Sequence, residues 1–432
     1  MTESTATNDG LRRTVPLLML VVACGHFNRI SISVIGSERL IPQYGLTPER
    51  MGLVYSAFLL SYTLAMLPGG WLIDRYGARA ALMFWGFGSV VFVGLNAAVS
   101  ALQSDALALW TSLVVIRSAL GIFNAPLHPA SAAMVCERVA PRSRAFANGL
   151  VTFGAIIGIA STYRVMGSMI DNFDWSTALI ISSFVTLIVT LIWTLSTRPN
   201  KNTDAHRAVT KRPTMSLGKI SPVLLQRSVI CIALSYGAYG YFQYLFFYWI
   251  QYFFETIQHL DKSVARDYST IITGAMGIGM VCGGWLTDLV PQSLSPRLRR
   301  AIVPVIGMIA SGAVFELGLI TSDPQLTFIS LAIASALIGA CEGPFWTTSV
   351  ELGGRYGGIT GSLMNTVGNL GGTISPYITP WLGALFAARY GEVLGWKMSL
   401  AVAGAIVIVG ALLWWGIDPI VQTQKTDDKP AD

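Results

Sequence analysis

Three arginines, Arg29, Arg117 and Arg164, together with His26, His128, Glu316 and Glu342, stand inside stretches that are otherwise apolar and long enough to cross a bilayer. An arginine at the centre of a span costs roughly 2.5–3.5 kcal/mol on insertion scales, so three cost on the order of 7–10 kcal/mol unless each meets water or a partner. A penalty of that size points to a polar cavity between the halves of a membrane protein. A guanidinium holds a carboxylate through two parallel hydrogen bonds, and a partly dry cavity strengthens the attraction, so Arg29 and Arg117 are candidate anion ligands. Along its span Arg117 shares one helical face with Gly121, Asn124 and His128, and His26 neighbours Arg29 on another. The alternative role for these arginines is to cap carbonyls of adjacent helices. Arg164 lies toward a span end, where its long side chain can snorkel.

The elements that must position these groups follow from composition. Hydrophobic residues make up 53% of the 432 and charged ones 12%, against about 25% charged in an ordinary soluble domain. Apolar runs of about 20 residues separated by polar breaks predict an all-α membrane protein with twelve transmembrane helices. They are expected near 15–36, 51–73, 81–100, 106–135, 145–170, 175–196, 227–253, 267–288, 301–321, 326–349, 358–386 and 396–418. Barrel strands are half as long and alternate in polarity, which these runs do not. Most of the 29 Lys and Arg fall in the termini and every second loop, which places both termini in the cytoplasm. The same distribution accounts for the basic net charge, so no nucleic-acid partner is implied. The polar stretch 197–226 separates an N-terminal six-helix half, 1–196, from a C-terminal half, 227–432. The N-terminus shows no cleavable signal. The five cysteines have neither disulfide nor metal-ligand spacing, and no cofactor or metal is expected. A multi-pass protein of a bacterial inner membrane, monomeric by default, is the expected setting.

An internal repeat supports the two halves: GGWLIDRYGAR at Gly69–Arg79 returns as GGWLTDL from Gly283. In the first copy Asp74, Arg75 and Arg79 stand at a span end, where a carboxylate can pair with a neighbouring helix in one conformation and release it in another. Asp288 occupies the equivalent place in the second copy, without the following Arg-Tyr-Gly. The seventh span is rich in aromatics, with Tyr236, Tyr239, Tyr241, Tyr244, Tyr248 and Trp249 interleaved with Gly237, Gly240 and Gln243. Most of these are expected to pack, and one or two to line a cavity.

The repeated Gly-x-Leu-x-Asp-Arg-x-Gly-x-Arg resembles the loop after the second helix of the major facilitator superfamily. HFNRISISV in the first span, the second span nearly throughout, RSALGIFNAPLHPA in the fourth and NTVGNLGGTISP in the eleventh resemble its anion:cation symporter family, which includes hexuronate, glucarate and galactonate transporters and sialic-acid and vesicular glutamate carriers. The resemblance implies the major facilitator fold. It also implies that Arg29 and Arg117 meet a substrate carboxylate, that Tyr62 faces the cavity, and that Asn365 and Asn369 contribute polar contacts from the other half, joined by Trp346, Thr347 and Thr348. The asparagines can equally serve as interhelical hydrogen-bonding groups. Two departures matter. Asn28 and Asn124 stand where the family usually has Asp and Glu, and an amide cannot ionise.

Importing one negative charge into a cell that is negative inside costs about 2.3 kcal/mol per 100 mV, so accumulation needs a co-ion. Glu342, a carboxyl in an apolar span, is the first candidate to carry a proton in place of the missing acids, and His26 the second, with His128 third. The expected activity is import of a small organic anion, a sugar acid or other carboxylate, coupled to a cation by alternating access. Asn28 and Asn124 suggest the alternative of proton-independent exchange or facilitated diffusion, with Asn124 then a polar substrate contact. A transporter-derived receptor is a reading of another class, expected to carry an added cytoplasmic domain. Enzyme activity is not expected, because the spans hold no nucleophile with a base and no cluster of metal ligands.

Overall fold

A computed structural model describes residues 10–102, 105–140, 143–197, 223–291 and 293–418. The greater part of the expected linker at 197–226 lies outside the described residues. Among them there are helices and no strands. We number the long helices α1 (Val15–Ile35), α2 (Pro48–Tyr76), α3 (Ala78–Ala98), α4 (Ala106–Asn124), α5 (Leu127–Arg138), α6 (Arg144–Asn172), α7 (Trp175–Ser196), α8 (Arg227–Tyr252), α9 (Lys262–Leu289), α10 (Pro296–Ile320), α11 (Pro324–Gly339), α12 (Glu342–Gly353), α13 (Gly357–Tyr390) and α14 (Glu392–Leu412). Local sequence starts many of them. Thr47, Ser295 and Asp323 accept backbone N–H groups as N-caps, each followed by a proline pre-set for the first turn, and Asp105 and Asp174 cap α4 and α7.

Eleven helical runs among the described residues are long and apolar enough to cross a membrane. The helix expected as the eleventh span, α13, is not one of them: it is 34 residues long and rich in Gly, Ser, Thr and Asn, with Pro376 and Pro380 inside it. Two of the runs are broken where the sequence suggested continuous helices. Between α4 and α5 the chain turns at Ala125–Pro126, and between α11 and α12 at Ala340–Cys341. Proline cannot donate to an i−4 carbonyl and clashes with the preceding turn, which ends α4 beside Asn124. In the second case Gly339 and Gly343 flank the break and Pro344 opens the next turn beside Glu342.

The chain divides into two compact units, Met1–Pro213 with Lys262–Thr270, and Thr214–Asp261 with Ile271–Asp432. The first turns of α9 thus pack with the first unit. Each unit repeats the same devices. In the first, Gly158 of α6 sits so close to α1 that a Cβ there would lie 2.2 Å from the Ala23 carbonyl oxygen; in the second, a Cβ on Gly240 of α8 would lie 2.2 Å from that of Gly368 in α13. Both α1 and α8 run on into a single π-helical stretch, Gly36–Leu40 and Phe253–Ile257. The first unit's core includes Val15, Leu18, Trp85, Met134 and Trp193. In the second, Phe242, Phe246 and Phe315 meet edge to face.

Candidate functional site

In the first unit α1, α2, α4 and α5 bring together a small cavity of about 10 Å3 lined by His26, Arg29, Phe58, Tyr62, Asn124 and His128, among others. Sites that enclose a whole small molecule are usually about 300–1,000 Å3, so this one, about the size of a single water molecule, is closed to a small molecule in this conformation. Arg29 is buried, its guanidinium carbon 5.2 Å from the Tyr62 ring centroid and 5.4 Å from that of Phe58. Those rings are parallel, 6.2 Å apart, and their π faces attract the cation. Tyr62 thus lines the cavity beside the arginine.

Arg117 is placed differently. It is 1% exposed, does not line the cavity, and donates from Nη2 to the Arg29 carbonyl at 2.7 Å and from Nη1 to the Asn28 carbonyl at 3.2 Å. Its carbon lies 4.7 Å from the Phe58 centroid. The carbonyl-capping alternative is therefore the geometry that Arg117 adopts, and it fixes the stretch of α1 that presents Arg29. Gly121, one turn further on, lets α4 approach α2: a Cβ there would meet Ser61 Oγ at 2.2 Å and the Phe58 carbonyl at 2.3 Å.

The two amides sit in neutral networks. Asn28 accepts from Ser182 Oγ at 2.5 Å and donates to Thr186 Oγ1 at 2.8 Å, and Thr186 in turn donates to the Ser182 carbonyl. Asn124 accepts from Trp85 Nε1 at 3.2 Å and donates to the Leu120 carbonyl at 2.9 Å. Both use a donor and an acceptor at once, which a carboxylate could do only when protonated. His26 and His128 meet Nε2 to Nε2 at 2.7 Å, their rings edge to face with centroids 5.0 Å apart.

The second unit holds the other expected residues in two groups. Glu342, at the start of α12 beside the break, accepts from Tyr236 Oη and Trp346 Nε1 through Oε1, both at 2.8 Å, while its buried Oε2 has no hydrogen-bond partner. Tyr236 and Tyr239 stack beside it, 5.1 Å between centroids. Thr348 is fully buried, with Oγ1 unsatisfied. On α13, Asn369 accepts from Tyr244 Oη at 3.3 Å and donates to the Asn365 carbonyl at 3.0 Å.

The repeated loop is exposed at Asp74 and Arg75. Arg79 donates to the Thr194 and Thr197 carbonyls, closing the end of α7. The Asp288 side chain lies outside the described residues. Arg164 is exposed and pairs with Asp267. A second charge cluster in the first unit was not legible from residue order: Arg266 of α9 donates from Nε and Nη2 to the fully buried Glu38 at 2.8 and 2.6 Å, and from Nη1 and Nη2 to Asp171. These three charges fall at the ends of apolar runs, where positive and negative residues look like ordinary interface positions.

Paired breaks in corresponding helices of two repeated units, with buried polar groups beside them, define a membrane transporter rather than a soluble binding protein. The chain belongs to the major facilitator superfamily, whose family model matches residues 18–376; it is a multi-pass integral membrane protein, and the family and fold are those of transporters. It is 26% identical to the D-galactonate transporter of Escherichia coli O6:H1 (strain CFT073) over 76% of this chain and 79% of the relative. It is 25% identical to the hexuronate transporter of Bacillus subtilis (strain 168) over 74% and 76%. The fold is shared with a solved bacterial homologue of the human lysosomal transporter Spinster, in an inward-facing and occupied conformation, with a TM-score of 0.74, 17% identity, and coverage of 94% of this chain and 96% of that one.

Proposed function

We propose that this protein imports a small organic anion, a sugar acid or related carboxylate, with a proton as co-ion, by alternating access across a bacterial inner membrane that it spans twelve times with both termini inside. The observation that carries the reading is the buried Arg29 guanidinium at the wall of a small polar cavity, closed in this conformation, between α1, α2, α4 and α5. Arg29 is then the anion ligand, Tyr62 and Asn124 complete its surroundings, and Arg117 holds α1 in place. The names of relatives that carry galactonate and hexuronates support the substrate class. From the second unit, Asn365, Asn369, Trp346 and Thr348 supply hydroxyl, amide and aromatic contacts to the sugar body. Glu342 or His26 is the group that takes the proton, and Asp74, Arg75, Arg79 and Asp288 belong to the conformational change.

Proton-independent exchange is the second reading, favoured by the neutral networks around Asn28 and Asn124. Uptake of radiolabelled D-galactonate, D-glucuronate and D-glucarate into proteoliposomes, with and without an inward proton gradient, separates the two. Accumulation that follows the gradient supports symport; equilibration that ignores it leaves exchange. Absence of counterflow for every acid refutes the substrate class.

A further inference from the structure

The geometry of the His26–His128 contact fixes how many protons it can hold. Two imidazole nitrogens 2.7 Å apart are joined by one hydrogen, because two N–H groups facing each other at that distance would repel. While the contact lasts, one ring donates through Nε2 and the other must keep a bare Nε2. The pair is therefore either neutral or charged once. His26 Nδ1 is buried and has no hydrogen-bond partner, so an added proton there creates a buried N–H donor with nothing to receive it, a costly arrangement.

The surroundings say when that cost falls. Among the described residues, Arg29 of the same helix and Tyr62 of α2 line the same cavity as the pair, Arg117 of α4 lies behind them on the Arg29 carbonyl, and Cys24 of α1 turns to Thr186. The other helices packed on this part of α1 present neutral groups: Trp85 from α3, Gly154 and Gly158 from α6, Ser182 and Thr186 from α7. Near the pair, the positive charge of Arg29 opposes a further proton. A carboxylate on Arg29, admitted when the small cavity that both histidines line widens, cancels that opposition and brings an acceptor close to the rings.

We infer that the His26–His128 pair is a single-proton site filled together with the anion, so that one proton travels with each carboxylate. This rests on the organic-anion reading above. By reciprocity, the proton raises anion affinity as much as the anion favours the proton. The imidazolium forms on one ring, the second ring accepts its hydrogen bond, and loss of the carboxylate on the far side releases the proton.

The test uses the full-length protein in liposomes, with radiolabelled D-galactonate, D-glucuronate and D-glucarate as probes. One inward pH unit corresponds to about tenfold accumulation for one proton per monoanion. Wild type should show counterflow exchange and accumulation toward that ratio. His26→Gln, His128→Gln and the double variant should fall to an accumulation ratio near one, with counterflow half-saturating at higher anion concentration because the proton no longer supports anion binding, and the double no worse than either single because one proton is shared. Accumulation retained in either single variant, or lost only in Glu342→Gln, overturns the inference and leaves the anion reading standing. No counterflow in wild type overturns both. If a histidine variant loses counterflow as well, the wild type decides through infrared difference spectra on adding the anion, with ring-15N histidine. An imidazolium signature that appears with the anion upholds the pair, and its absence overturns it.

Discussion

Arg29→Lys separates an anion ligand from a structural arginine. Lysine keeps the charge and most of the stem but replaces a planar fork with a point charge, so a bidentate carboxylate keeps one charge-assisted hydrogen bond in place of two. Each such bond contributes roughly 1.5–3 kcal/mol, which sets the expected loss at about 10- to 150-fold in apparent affinity. The stacking against Phe58 and Tyr62 at 5.4 and 5.2 Å survives in part, since an ammonium also favours a ring face. Half-saturation in counterflow is the readout, because exchange needs no driving gradient and reports binding on both sides. Arg117→Lys is the internal control. Its guanidinium donates to the Asn28 and Arg29 carbonyls, so the substitution should lower the melting temperature in detergent while half-saturation moves by less than about threefold. A half-saturation that stays at the wild-type value in Arg29→Lys and rises steeply in Arg117→Lys would refute the assignment and reverse the two roles.

Other perturbations read other parts of the structure. Arg266→Gln breaks the pair with the fully buried Glu38 and should destabilise the protein by about 3–5 kcal/mol; Glu38→Gln combined with it should recover part of the loss, and a double variant no more stable than the single would contradict a buried ion pair. Gly158→Ala drives a methyl into the Ala23 carbonyl oxygen at 2.2 Å and should cost about 1–3 kcal/mol by forcing α1 and α6 apart, seen as a lower melting temperature; an unchanged one denies the close approach. Asp174, outside the spans, has its carboxyl held below the usual carboxylate range by hydrogen bonds from the Thr177 side chain and backbone. Its contribution is therefore present above the unfolded value of about 3.9 and lost as pH falls through the lower folded one. Melting temperature of wild type should drop in that acid window more than that of Asp174→Asn, and parallel curves would dismiss the cap.

Much of this arrangement was legible in the sequence, and the unreadable remainder has one cause. Span positions follow from apolar runs, because the bilayer leaves helices few alternatives. The duplication is written in the two GGWL copies, while the contact of Tyr62 with Arg29 emerged only from packing. The breaks at Ala125–Pro126 and Ala340–Cys341 carried a signal, Pro126 and the pair Gly343–Pro344, that hydropathy alone overrides. The partners of Arg117 and of His26 were not legible. A guanidinium in an apolar span needs oxygen, and only packing decides whether a carbonyl 88 positions away or a substrate supplies it. His128 likewise gained its meaning only from a contact 102 positions away. Arg266 and Glu38, 228 apart, are the extreme case.

The amides and the histidines are linked in this chain. The family resemblance leads to acids at positions 28 and 124, and this chain puts there two side chains that donate and accept together, as a protonated carboxyl would. Asn28 ties α1 to α7 through Ser182 and Thr186, and Asn124 ties α4 to α3 through Trp85. Both positions are thus held in the form a carboxyl takes with its proton on, and neither can change charge during a transport cycle. Titratable groups nevertheless remain on the same two spans within about a turn: His26 two residues before Asn28, and His128 four residues after Asn124, across the break. They meet each other at the cavity that Asn124 also lines. If they are the relocated proton site, restoring an acid at one amide position should conflict with the network already there. Asn28→Asp places a carboxylate beside Ser182 and Thr186 with no proton to donate to Thr186, so it should be destabilised at neutral pH and recover as the pH falls. A thermal-stability profile of Asn28→Asp that is flat from pH 8 to pH 5 would show that the amide's donor role carries no weight, and with it the reason for moving the proton elsewhere.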